Sequence, residues 1–193
     1  LAEEQLQDAD DAVELHRRLL TEAPTHTPSL VAMWRLLDTA EKWPELADLL
    51  EQFMAVLRDL GGTDQIREVG LRLAELYAER LSDADKARQI LTELLAGDPD
   101  FVPAILALST VEEQQGNDDA MRELLLRAQA LQPQGVIGAS LQLRLSVFAD
   151  SPEKRREHLE TALHLHPANV DAARQLLELS RKEGYWEQVA YLL

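Results

Sequence analysis

The sequence predicts an all-α chain built from antiparallel helix pairs, and three observations predict it. The endings Ala-Gly-Asp-Pro99, Ala-Leu-Gln-Pro133 and Leu-His-Pro167 place their prolines 34 residues apart twice, and self-similarity at a fixed period of this size marks a repeat architecture. Between the prolines, apolar residues recur at three- and four-residue spacing, as in Met121, Leu124, Leu125 and Ala128, which makes one stripe on a helix. Gly and Pro number only 8 each, whereas Leu, Ala, Glu, Gln, Arg and Asp dominate, most of which lose little side-chain freedom in a helix.

Taken in order, the elements begin with a partial repeat at 1–26. Its Pro24 lies 75 residues before Pro99, one period of 34 plus one of 41. Repeats follow at about 27–62, 63–100, 101–134 and 135–168, then a second partial repeat at 169–193, all within one domain of residues 1–193. The surplus of the long period falls near Leu57 to Asp64, where Gly61-Gly62 marks a longer turn. Each unit reads as a first helix, A, and a second, B, neither of which can bury its stripe alone. Thr27-Pro28, Trp43-Pro44 and Ser151-Pro152 put Pro in a first turn, where its missing N–H is not needed. Thr27 and Ser151 are expected to cap those ends as well. Gly116-Asn117 and Gly184-Tyr185 fall between A and B, where glycine adopts the left-handed conformation that ends a helix.

One stretch reads otherwise. Leu141-Gln-Leu143-Arg-Leu145-Ser-Val147 alternates with period two, as a half-buried strand does. A lone strand in a helical stack leaves its backbone groups unpaired, so a helix is expected, covered on two sides: Leu141, Leu145 and Phe148 on one face, Leu143 and Val147 on a neighbouring one.

These residues resemble the tetratricopeptide-repeat family over nearly the whole chain. In the last unit the family's helix-A apolar pair falls on Leu176 and Leu177, its turn glycine on Gly184, its turn aromatic on Trp186 and its small helix-B residue close to Val189 and Ala190. In the fourth, Leu108-Ser109, Gly116 and Ala120 take the corresponding places; in the third, Leu73-Ala74, Tyr77 and Ala87, followed by Leu91, Leu94 and Pro99. An internal echo supports this independently: Trp43-Pro-Glu-Leu46-Ala47-Asp-Leu49-Leu50 and Trp186-Glu-Gln-Val189-Ala190-Tyr-Leu192-Leu193 share one pattern at the start of a B helix. Departures are Glu41 at a turn-glycine place and Arg155 at a small helix-B place.

The resemblance implies a right-handed α-solenoid superhelix whose concave face, lined mainly by A helices, holds a peptide or protein. Mapped onto this chain, the concave candidates are Arg35, Asp38, Glu75, Thr110, Glu113, Arg144, Arg174, Glu178 and Arg181. Arg174, Glu178 and Arg181 stand at i, i+4 and i+7 and share one helix face, presenting either a fork to a partner carboxylate or a self-satisfied ion pair. The lysine and asparagine clamp with which some family members grip a C-terminal carboxylate is not expected, because Leu71, Glu75, Leu106 and Thr110 fill its places.

Charge and chemistry narrow the function. With 19 Lys and Arg against 35 Asp and Glu the net charge is −16, which repels nucleic acid and anionic membrane. Either it is a solvated outer surface or it favours a basic partner. Arg17-Arg18 and Lys154-Arg155-Arg156 sit among Glu14, Glu22, Glu153 and Glu157 and read as surface helix faces. Cys is absent, and His16, His26, His158, His164 and His166 have no ligand spacing, so no metal or other cofactor is expected. Acidic pairs such as Asp118-Asp119 read as solvated faces or helix starts, no phosphate loop or nucleophile elbow occurs, and an enzyme is not expected. Trp43 and Trp186 are expected to wedge their hairpins, while Trp34, next to Arg35 inside an A helix, has no such assignment. The chain opens at Leu1 and closes on Leu193 like a piece of something longer, with the cytoplasm a default location. The expected function is an interaction scaffold; the alternative is a structural spacer or self-association module.

Overall fold

The computed structural model describes residues 2–184, with side chains from residue 11 onward. Among them every regular element is a helix and no strand occurs. The alternating stretch is thus helical, as the flanking period required. Residues 185–193, which include Trp186, Val189 and Ala190, lie outside the described residues.

Two compact units divide the chain at residue 99. The first holds α1 (Ala2–Glu22), α2 (Thr27–Thr39), α3 (Trp43–Leu60), α4 (Thr63–Glu79) and α5 (Ala84–Gly97); the second holds α6 (Val102–Gln114), α7 (Asp118–Leu131), α8 (Gly135–Leu145), a 3-10 turn (Ser146–Phe148), α9 (Pro152–Leu165) and α10 (Val170–Glu183). Within each unit, helices that follow one another in sequence pack together. α3 runs for 18 residues where α5, α7 and α9 have 14, and α4 for 17 where α2 and α6 have 13, and these two lengthened helices together carry the long period. α3 ends at Gly61 in the left-handed region, φ 72°.

Left-handed residues also close the A–B turns. Gly116 and Gly184 adopt φ 72° and 76°, as their positions require, and Glu41 and Ser82 adopt φ 54° without being glycine. The Glu41 N–H donates to the Asp38 carbonyl (3.1 Å) and the Lys42 N–H to the Leu37 carbonyl (2.9 Å), the same pattern that Gly116 and Asn117 make with Glu113 and Glu112. These paired bonds satisfy the last carbonyls of the A helix. Start signals hold with one exception. The side chains of Asp83, Ser151 and Asn169 accept from the N–H of Lys86, Lys154 and Ala172. Thr27 does not cap: it is the first helical residue of α2, and its hydroxyl donates back to the Thr25 carbonyl (3.4 Å). A capping side chain must precede the helical dihedrals to reach forward, so that place falls to His26.

Each unit has its own apolar interior. In the first, Met33, Leu37, Leu46, Leu57, Leu73 and Leu91 are at most 2% exposed; in the second, Ile105, Leu125, Leu141, Leu159 and Leu176 are equally buried. Each such side chain contributes roughly 1.5–3 kcal/mol of transfer free energy. Ala128 and Ala162, 34 residues apart and both fully buried, let α7 and α9 approach their neighbours closely. In α8, Leu141 and Leu145 are buried and Leu143 packs on the Leu159–Leu176 cluster, but Val147 stays 66% exposed. The second covered side therefore stops at Leu143, because the chain tightens into the 3-10 turn and rotates Val147 outward.

Polar ties join elements far apart in sequence. The Tyr77 hydroxyl donates to Glu51 (2.6 Å) and accepts from Lys86 Nζ (2.9 Å), linking α4 to α3 and α5. Burial pushes the Tyr77 hydroxyl above its ordinary range and the Glu51 bond adds to this, while the ammonium opposes it. The Nδ1 atoms of His16 and His26 both lie within hydrogen-bond distance of the fully buried Ser29 Oγ, at 3.2 and 2.7 Å. Arg156, expected on a surface face, instead pairs with Glu183 of α10, with only 19% and 21% of the two side chains exposed. Helical phase turns it inward, one residue after the exposed Arg155.

Candidate functional site

The A helices of the first unit hold a cleft. The facing sides of α2 and α4 stand apart over a floor of Leu49, Leu50 and Phe53 from α3, enclosing about 790 Å³. Leu30, Val31 and Trp34 line the α2 wall and Val69 the α4 wall, with Arg35, Asp38, Glu68 and Arg72 at the polar rim. The cleft leads into a smaller hollow where Trp34 and Asp38 meet Trp43, Glu75 and Glu79. Trp43 is half-buried there, and the Arg80 guanidinium lies over its ring, 5.0 Å from the centroid, so it wedges the hairpin from α3 and is itself covered from α4. Three predicted residues thus come together here: Arg35 and Asp38, both exposed, and Glu75, which accepts from Arg72 at 3.5 Å.

In the second unit Glu113, Arg144 and Arg174 converge around a pocket of about 300 Å³ with Met121, Leu143 and Val147. Arg144, with 21% of its side chain exposed, donates from Nη1 to Ser109 Oγ (2.9 Å) and from Nη2 to Glu113 (2.8 Å). Ser109 is fully buried and its hydroxyl donates to the Leu106 carbonyl (2.7 Å). The small residue of the fourth unit's apolar pair therefore also holds a guanidinium, and Arg144 is fixed in place. Arg174 donates to Asp171, one turn back (3.3 Å), and not to Glu178. Glu178 and Arg181 are exposed further along the same face of α10 and do not line the pocket. Thr110 is exposed with its hydroxyl turned back to the Leu106 carbonyl (3.2 Å), apart from both groups.

Sequence reasoning missed the apolar lining of the first cleft. A signal was present: Trp34 follows buried Met33 as Ala74 follows Leu73 and Ser109 follows Leu108. Ala74 and Ser109 are buried and small, so Trp34 occupies a place where a bulky ring cannot fit beneath a neighbouring helix. It turns into the cleft instead.

Among the described residues no three His, Asp or Glu side chains converge as metal ligands would, and no helix is long and apolar enough to cross a membrane.

No family model matches the sequence, and no curated protein matches it. Solved structures do. The chain is similar to BtubC (BKLC) from P. vanneervenii, with a TM-score of 0.72 at 16% identity over 99% of this chain and 87% of that one. It is also similar to the MamA protein, at 0.63 and 18% over 86% and 87%. YrrB, described as a TPR protein with an unusual peptide-binding site, gives 0.61 and 14% over 89% and 85%. At such identities the likeness establishes the fold. The chain thus has a tetratricopeptide-repeat-like fold, an all-α array of helical hairpins.

Proposed function

We propose that this chain is a scaffold that holds a protein or peptide partner on the face lined by its A helices, and that it performs no catalysis of its own. The observation that carries this reading is the α2–α4 cleft, where Val31 remains 45% exposed and Trp34 half-buried over an apolar floor. Open apolar concavities rimmed by polar groups are where partners dock. The second unit has, by itself, a pocket on α8 and α10 with Arg144 held by Ser109 and Glu113, a surface of the same kind. The carboxylates on these faces are open to solvent, unlike a general acid or base in a closed site. YrrB's description as peptide-binding supports the reading by analogy of fold. A net charge of −16 disfavours nucleic acid and anionic lipid as partners.

The test is a pull-down from native extract with the intact chain, alongside a Val31→Ser, Trp34→Ala variant and an Arg174→Glu, Arg181→Glu variant. A partner retained by the wild type and lost with either variant is expected. Capture of nothing, or capture indifferent to both variants, defeats the reading. A self-association module is the second reading, favoured by Val136, Val147 and Val170, each 66–67% exposed in the second unit. Light scattering decides it, since a strict monomer across concentrations removes it.

A further inference from the structure

The α2–α4 cleft sets an apolar floor beside a polar rim which, with the hollow it leads into, carries four carboxylates (Asp38, Glu68, Glu75 and Glu79) against three guanidiniums (Arg35, Arg72 and Arg80). Its apolar part is a receptacle for a bulky side chain: Trp34 supplies a flat face, Leu30 and Val31 one wall, Val69 the other and Phe53 the bottom. Residue 34 departs from the small residues at the matching places of α4 and α6, Ala74 and Ser109, and its ring lines the cleft. Around it the guanidiniums are largely engaged. Arg72 is turned to Glu75 (3.5 Å) and Arg80 lies on Trp43 (5.0 Å). The exposed carboxylates of Asp38 and Glu68 share the rim with Arg35 and that of Glu79 lies in the adjoining hollow, in a chain whose net charge is −16. A cationic group is attracted by both the local and the long-range field.

We propose that this cleft selects a partner-protein segment carrying one bulky apolar side chain followed within a few residues by Lys or Arg: the apolar group seated on Trp34 and Phe53, the cation against Asp38 and Glu68. This specificity rests on the scaffold reading above and goes beyond it by naming the chemistry of the ligand.

Selection of a random twelve-residue phage-displayed peptide library on the immobilised full chain tests it, with clones re-tested against variants. The expected consensus pairs a large apolar residue with a nearby Lys or Arg. Binding should weaken at least tenfold with Trp34→Ala and severalfold with Asp38→Lys, and fall steeply between 50 and 500 mM salt. Since Trp34→Ala also removes packing, Val31→Ser serves as the second apolar variant: its side chain is already 45% exposed, so the fold survives while affinity drops. An acidic consensus, or clones indifferent to both apolar variants but lost with Arg174→Glu, overturns the proposal and leaves the scaffold reading standing. Enrichment of nothing overturns it too, and a successful extract pull-down then separates that failure from failure of the scaffold reading. Self-association abolished by Trp34→Ala makes a second copy the occupant and equally overturns it.

Discussion

Replacing Glu41 by glycine is expected to stabilise the protein, although it removes a whole side chain. Glu41 closes the α2–α3 turn at φ 54°, where an L-residue is strained by about 1–2 kcal/mol. Its side chain is exposed, so little packing is lost on truncation. Against the relief stands the greater freedom of glycine in the unfolded chain, about 0.5–1 kcal/mol. The difference is a net gain of roughly 0.5–1 kcal/mol, which for a chain of this length raises Tm by about 1–4 °C. The turn itself should persist, because the bonds from the Glu41 and Lys42 N–H groups are the ones the α6–α7 turn makes around Gly116. Urea unfolding followed by far-UV circular dichroism measures the change, with Gly116→Glu as its mirror: that variant should lose about as much as Glu41→Gly gains. Repeats can unfold in stages, so the comparison belongs to midpoints of the transition that reports the mutated unit. A destabilised Glu41→Gly, or an unaffected Gly116→Glu, would refute the reasoning that backbone conformation dominates these turns.

Three further outcomes follow from named contacts. Gly97→Ala, with open space around the new methyl group at the end of α5, should gain up to about 1 kcal/mol, whereas Gly138→Ala should lose about 1–3 kcal/mol because its methyl meets the Pro133 carbonyl well inside van der Waals contact; matched urea midpoints decide both. Glu183→Gln leaves the mostly buried Arg156 without its carboxylate and should cost about 1–3 kcal/mol, and Arg156→Met with Glu183→Leu should recover much of that loss in the same assay. Lys154 holds the Asp150 carboxyl below its ordinary range, so this ion pair stabilises above the unfolded-state pKa near 3.9 and the contribution fades as pH falls through the lower folded value. Asp150→Asn should therefore lower Tm at pH 6 and differ progressively less from the wild type towards pH 2, and a constant offset would count against it.

Much of the fold was legible in advance because it rests on local rules. Proline spacing, amphipathic stripes and the turn glycines Gly116 and Gly184 act within one or two turns of chain, and the structure follows them helix by helix. The strand-like run from Leu141 to Val147 was resolved by its flanking period, not by its own pattern. Thr27 was misread because capping depends on the dihedrals of a single residue, and a shift of one position moves the cap to His26.

The candidate site was legible only as a set of helix faces. Phase along α2 put Arg35 and Asp38 on one face, since residues three apart share a side, and the family resemblance offered Glu113 and Arg144 only as separate A-helix candidates. It did not reveal that Ser109 and Glu113 immobilise Arg144 from a neighbouring helix 31 to 35 residues away in sequence. Nor did it show that Arg156 turns inward to Glu183, or that His16 and His26 meet over Ser29. Helical period, pairing and turn chemistry are read from residues near one another along the chain, so this sequence alone specified an array of helical hairpins. The cleft over Phe53 is lined from α2, α3 and α4 at once, and only tertiary packing brings Trp34, Phe53 and Val69 round one hollow.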